Sequence, residues 1–238
     1  MNKAYNELDR VASYDRDMEI MHPLRTRMVE IGLQVLPFDR DSQLNALDLG
    51  VGTGYFTDKF LQAFPAAHVL AIDSAEKMMS TALGRLGPRA ERVTPIVDDI
   101  LTFQRWNSKG EAYDIIFSSF TLHHLTNIEK SDLFGEVVSC LVSGGWFINA
   151  DLVVANSPIV VERIQELRVE GILDRNQGRI QSFSDRETTK KTLSTIEAKD
   201  GDQPLPLLED IDILRRAGLT STEVFWKEYR EVVYGGPK

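Results

Sequence analysis

The chain has 238 residues, 42% hydrophobic and 26% charged, with a net charge of -9 and one cysteine, Cys140. That is the make-up of a globular domain with a sizeable core; the acidic balance disfavours nucleic acid as a partner, and a lone cysteine excludes a disulfide framework or a thiolate metal cluster. No apolar run approaches bilayer-spanning length and the opening MNKAYNELDR lacks the basic-then-apolar build of a secretory leader, so no membrane partner and a cytoplasmic, reducing setting are expected.

In chain order, residues 1–20 read as a polar helical arm carrying Tyr5 and Tyr14. HPLRTRMVEIGLQVLP then sets Leu24, Met28, Ile31 and Val35 along one helix face, with prolines at both ends. From there β-rich runs alternate with helical patterns: LNALDLG with YFTDKFLQAF, then AHVLAID with SAEKMMSTALGRLG. Ser74 is the expected cap of that second helix, whose Met78, Met79, Ala82, Leu83 and Leu86 form a stripe ending at Gly87. RVTPIV and YDIIFSSF are the next strands, followed by NIEKSDLFGEVVSCLVSGG. Here Asn127 is the expected cap, Leu133, Val137 and Leu141 are in register, and Gly144 lies beyond the end. WFINADLVV precedes a helix opened by Ser157-Pro158.

Nearly continuous apolar strands separated by helices predict a parallel sheet covered on both faces. Residues 172–206 break the alternation; a polar segment this long reads as a lid, a helical insertion or a mobile connection. Its RETTKK cluster reads as a solvated helix face. The chain closes with the helix LLEDIDILRRAGL and two β runs in STEVFWKEYREVVYGG, joined by a tight turn. The expected plan is a single domain: an N-terminal helical arm (1–40), a core (41–156), an inserted helical cap or lid (157–206), and a final helix with a hairpin (207–238).

The first strand runs into Gly50, Gly52 and Gly54, which permit a positive-φ turn and let a ligand lie against bare backbone at a helix start. Asp48 stands directly before this turn. Asp73 ends the second strand, where a carboxylate can accept from both ribose hydroxyls, and Asp98 and Asp99 end the third. Four scattered histidines with no HExxH give no metal spacing, so no metal site is expected.

LDLGVGTGYF resembles the first motif of the class I S-adenosylmethionine-dependent methyltransferases. The resemblance continues through VLAIDSAEKMM, IVDDILTF, YDIIFSSFTLHHL and LVSGGWFINADLVV to VFWKEYREVVYGG, covering residues 44–155 well and 207–236 moderately. It implies a Rossmann-like α/β fold with a seven-stranded, mostly parallel sheet whose last strand is antiparallel, and S-adenosyl-L-methionine as cofactor. It also implies that Gly50, Gly52 and Gly54 line the methionine part and that Asp48 holds the turn and the cofactor's ammonium. Asp73 would take the ribose; Ser74 and Met78 would lie near the adenine, with Ile100 on the ring. Asp99 matches the acid that accepts from the adenine amine, although Asp98 stands where the family often has glycine, which leaves the choice open. Ser118 would touch the cofactor after the fourth strand, and Tyr14 resembles the aromatic that closes over it.

Methyl transfer from a sulfonium is an in-line displacement, so alignment and a dry site carry most of the catalysis. Where the acceptor must lose a proton, the candidate bases are His123, His124 and Asp151. A small-molecule acceptor is the first expectation, because a cap over the crevice suits an enclosed pocket; a homodimer is left open. Alternatives are a tRNA-modifying enzyme, against which the acidity counts, a non-catalytic cofactor-binding protein, and an NAD-dependent oxidoreductase. The last would want GxGxxG, and Tyr55 interrupts that spacing.

Overall fold

The computed structural model describes residues 8–107 and 110–238; Tyr5 lies outside the described residues. The elements are α1 (Leu8–Met21), α2 (Arg25–Gln34), β1 (Asn45–Leu49), α3 (Tyr55–Ala63), β2 (His68–Asp73), α4 (Glu76–Leu86), β3 (Val93–Val97), α5 (Phe103–Trp106) and β4 (Tyr113–Ser119). They continue with α6 (Asn127–Cys140), β5 (Leu141–Leu152), α7 (Pro158–Asn176), α8 (Arg186–Asp200), α9 (Leu207–Arg216), β6 (Glu223–Glu228) and β7 (Glu231–Pro237).

The strands form one seven-stranded sheet in the order β3-β2-β1-β4-β5-β7-β6. β7 runs antiparallel to both of its neighbours and the remaining strand pairs are parallel. The closing hairpin therefore completes the sheet, as the sequence implied, with Tyr229 at φ 51° in its two-residue turn. Alternation along each strand sorts the core into two layers. Ala46, Ile115, Phe117, Ile148 and Val233 pack with residues of α2 and α3 on one face. Leu47, Leu49, Ile116, Phe147, Val232 and Tyr234 pack with α6 and α9 on the other. That second face holds a buried polar chain. Lys130 Nζ donates to Asp210 at 2.8 Å, Tyr234 hydroxyl to Asp210 at 3.1 Å, and Asn149 Nδ2 to the Tyr234 hydroxyl at 2.9 Å.

Local chemistry moves three expected boundaries. Ala75, not Ser74, is the N-cap of α4, because Asp73 Oδ1 accepts from the Ala75 N–H and fixes the turn first. Thr126, not Asn127, caps α6: its hydroxyl accepts from the Glu129 N–H while the Glu129 carboxylate accepts from the Thr126 N–H. Leu141 and Gly144 belong to β5 and not to a helix end. The register shifts here, and a Cβ on Gly145 would come within 3.1 Å of the Tyr113 and Asp114 carbonyls. The 172–206 segment is mostly helical, since α7 runs to Asn176 and α8 fills Arg186–Asp200. The RETTKK face of α8 is tied across to α7, with Arg186 and Lys190 both on Glu166. No described helix is long and apolar enough to cross a membrane.

Candidate functional site

β1, β2 and β4 end level with one another, Leu49 lying beside Ile72 and Ser118, so their following loops open on one edge of the sheet. Between β1 and α3 the chain turns through Gly50, with the Gly50 and Val51 N–H groups both donating to the Ile72 carbonyl at 2.9 Å. The glycines are not equivalent. A Cβ on Gly50 (φ 80°) would strike the Thr121 side chain at 2.3 Å, and one on Gly54 would meet Ala82 at 2.9 Å, so both answer to packing. A Cβ on Gly52 (φ 53°) would meet nothing within 4 Å. Its backbone borders a cavity of about 550 Å³, within the range of a small-molecule site.

Three successive strand tips supply acids to that cavity: Asp48, Asp73 and Asp99. Asp48 is buried and accepts from the Thr57 hydroxyl. Burial pushes its carboxyl up to about 7, against the Thr57 bond and helped by the charge of Asp73. Asp73 Oδ2 accepts from the Gly52 N–H and Oδ1 from the Ala75 N–H, each at 2.8 Å. Burial raises its pKa in spite of those two bonds. Asp73 thus builds the glycine turn as well as facing the cavity. Ser74, Met78 and Ile100 line the same space.

Three expected cofactor residues do not line it. Gly54 faces Ala82 at the start of α3. Asp98 turns away, accepting from the Asp99 N–H at 2.8 Å and pairing with Arg105 at 3.3 Å. Ser118 is buried, its hydroxyl donating to the Leu49 carbonyl at 2.8 Å, and the next residue, Ser119, takes the place at the wall.

The arm closes one side. Tyr14 lines the cavity, and burial raises its hydroxyl pKa, against the charges of Arg25 and Arg10. The neighbouring Asp15 accepts from Arg25 at 2.7 Å, from the Thr53 hydroxyl at 2.9 Å and from Arg85. Arg85 Nε also donates to the Thr53 carbonyl at 2.7 Å, and the Arg25 guanidinium lies 4.3 Å from the Tyr55 ring centre. Arg10 pairs with Asp200 and so ties α1 to α8. Sequence reasoning missed Asp15, Arg25, Thr53 and Arg85. Each is unremarkable alone, and only the folded arm brings them together.

Past β4 the chain passes through Phe120 at φ 50° and turns at Leu122–His124. His124 borders the main cavity; His123 and Asp151 do not. Both are buried behind its wall, where the His123 N–H donates to Asp151 Oδ2 at 3.0 Å and Nδ1 lies 2.6 Å from Oδ1. Burial alone would lower the His123 imidazolium, but the Asp151 carboxylate, assisted by Asp202, raises it to about 9. A residue outside the expected set completes this corner. Asp202 Oδ1 lies 3.5 Å from His123 Nε2 and 3.2 Å from His124 Nδ1. The next residue straps the turn: Gln203 N–H donates to the His123 carbonyl at 2.7 Å and Gln203 Nε2 to that of His124 at 3.2 Å. A second cavity of about 40 Å³ lies behind, bordered by His123, His22, Met18, Arg168 and Leu193.

The comparisons agree with this architecture. A family model described as a methyltransferase domain matches residues 46–145. A malonyl-[acyl-carrier protein] O-methyltransferase of Ilyobacter polytropus is 33% identical over 107 residues, which are 45% of this chain and 39% of that relative. The chain thus matches well under half of that relative's length. An O-methyltransferase family protein from Burkholderia thailandensis superposes with a TM-score of 0.67 over 98% of this chain and 61% of its own, at 14% identity. Phosphoethanolamine N-methyltransferase 2 of Haemonchus contortus, solved in complex with S-adenosyl-L-methionine, gives 0.58 over 84% and 38% at 19% identity. At these identities the structural likeness is one of fold.

Proposed function

We propose that this chain, whose residues 46–145 match a methyltransferase-domain model, is a class I S-adenosylmethionine-dependent methyltransferase that transfers a methyl group from S-adenosyl-L-methionine to a small-molecule acceptor. The observation that carries the proposal is the open backbone of Gly52 set among Asp48, Asp73 and Asp99 in one cavity. Each part fits the donor. The bare turn at Gly50 and Gly52 leaves room for the methionine tail, and Gly54 holds the helix start behind it. Asp48 faces the ammonium, and the lone pairs of Asp73 left over from its backbone bonds accept from the ribose hydroxyls. Ser74, Met78 and Ile100 flank the adenine, and Asp99, which reaches the cavity where Asp98 does not, accepts from its amine. Ser118 supports the wall by fixing the β1 and β4 tips together.

When bound, the cofactor would supply an electrophilic methyl on a sulfonium, whose bond to sulfur breaks as the acceptor lone pair forms the new one, so that the sulfur leaves as a neutral thioether. The protein's task is alignment and exclusion of water. Tyr14 and the arm close over the donor. The buried His123–Asp151 pair positions the turn that carries His124, and His124 faces the acceptor side. Malonyl-[acyl-carrier protein] and phosphoethanolamine, in the names of the proteins above, are methylated on oxygen and nitrogen. A shared core is therefore compatible with either atom, and the acceptor is chosen by α1, α7 and α8. The acidic chain and reduced cysteine suit a cytoplasmic reaction on a small molecule better than one on RNA.

Calorimetry with S-adenosylhomocysteine tests the reading. The intact protein takes up one equivalent. Gly52→Ala keeps its melting temperature within a few degrees and binds at least tenfold more weakly, because the new Cβ projects into ligand space. Gly50→Ala instead melts much lower, because its Cβ meets Thr121. No uptake by the intact protein, or full affinity in a folded Gly52→Ala, overturns the proposal.

A further inference from the structure

We propose that His123, His124 and Asp202 form a site for one divalent transition-metal ion of the zinc type at the inner edge of the main cavity. The three residues come from two separate segments, the turn after β4 and the link after α8. One ligand atom from each lies within 4.8 Å of the others. The distances from Asp202 Oδ1 to the two imidazole nitrogens, 3.5 and 3.2 Å, are long for a charged hydrogen bond. They match the edges of a tetrahedron, about 3.4 Å for metal–ligand bonds of about 2.1 Å.

The surroundings are those of a metal ligand set. Asp151 Oδ1, at 2.6 Å, fixes the Nδ1–H tautomer of His123. A carboxylate in that position orients a metal-bound imidazole and raises its basicity. With Nδ1 committed to Asp151, Nε2 faces the Asp202 carboxylate oxygen at 3.5 Å, a gap that a proton bridges in the metal-free protein and that a metal ion would take over by displacing it. Bonds from the Gln203 backbone and side-chain amides to the carbonyls of His123 and His124 hold the corner in place without any ion. Two imidazoles and one carboxylate suit zinc and its first-row neighbours, whereas magnesium and calcium want more oxygens. Three protein ligands leave a fourth position. His124 and Gln203 border the cavity, so that position opens towards the acceptor. An ion there would hold an acceptor oxygen, nitrogen or sulfur and lower its pKa. The ion site stands without the methyl-transfer reading; only this role rests on it. The sequence gives no zinc-like spacing because Asp202 is so far along the chain from the histidines.

The test uses untagged, chelator-treated protein titrated with zinc chloride by calorimetry and with cobalt chloride by visible absorption. One ion per chain is expected, with the intense cobalt bands of four- or five-coordination. Asp202→Ala and His124→Gln should each weaken zinc binding by about 100-fold or more, and Asp151→Asn by about 10- to 100-fold. Cys140→Ser should change nothing. Absence of uptake, or unchanged affinity in both Asp202→Ala and His124→Gln, overturns the site and leaves a proton as the cation between His123 and Asp202. Should Asp202→Ala fail to fold, His124→Gln, at the cavity wall, carries the test. S-adenosylhomocysteine binding is read on the same samples without metal: its loss in the intact protein would sink the methyl-transfer reading and leave the ion result intact.

Discussion

A carboxyl group as buried as Asp48, with its charge facing that of Asp73, holds its proton to about pH 7 while the cavity is empty of ligand. Its folded pKa is raised, so the native state binds more protons than the unfolded chain between about pH 4 and 7. The stability this gives is fully present below the unfolded pKa and is lost as pH rises through 7. Relative to Asp48→Asn, which keeps an acceptor for Thr57, the wild type should lose up to about 4 kcal/mol across that window; parallel pH profiles in urea would reveal it. An incoming ammonium reverses the preference. Binding of S-adenosylhomocysteine at pH 6 should release close to one proton, read as a dependence of the calorimetric heat on the buffer's ionisation enthalpy. Release near zero would remove Asp48 from the ammonium. Asp48, Gly52 and Asp73 were legible in the sequence because each is set by its own strand end. Which of Asp98 and Asp99 reaches the cavity was not, since that depends on the direction a turn takes after the strand.

At the scale of elements, α1 illustrates what pattern reading cannot supply. Its helical character was legible, but its docking depends on one acid, Asp15, meeting Arg25, Thr53 and Arg85 from three other segments. Removing that acid as Asp15→Ala should loosen α1 while leaving the sheet intact. Hydrogen exchange over residues 8–21 should quicken at least tenfold, and ligand affinity should fall several-fold, with the global melt moved by only a few degrees. Unchanged exchange in α1 would mean that Met18, Ile20 and Met21, all buried, hold the helix without the acid. The caps show the same limit from the opposite direction. Ser74 and Asn127 are good capping residues, yet Asp73 and the Thr126–Glu129 pair reach the free N–H groups first.

Over the whole molecule, the alternation of strands and helices made the sheet and its closing hairpin legible, because burial on both faces writes itself into continuous apolar runs. The polar chain through the second face was invisible, since Lys130 lies on an ordinary helix and its partner Asp210 on another, far along the sequence. Both side chains are almost fully buried. Lys130→Met should destabilise the protein by about 3–5 kcal/mol by leaving Asp210 uncompensated, and adding Asp210→Leu should restore much of that loss; urea unfolding of the two variants measures it. A single variant as stable as wild type would mean that Tyr234 alone satisfies Asp210.

The strand order has an outcome in time. β7 is made after β6 but lies between β6 and β5, so on the ribosome β5 keeps an open flank while everything before β7 has already emerged. The glycine bend is in place early, yet the layer beneath it stays unfinished. A nascent chain halted before Glu231 has no way to hand its sixth strand to its fifth in the mature arrangement, and must either wait or offer that bare flank to a chaperone.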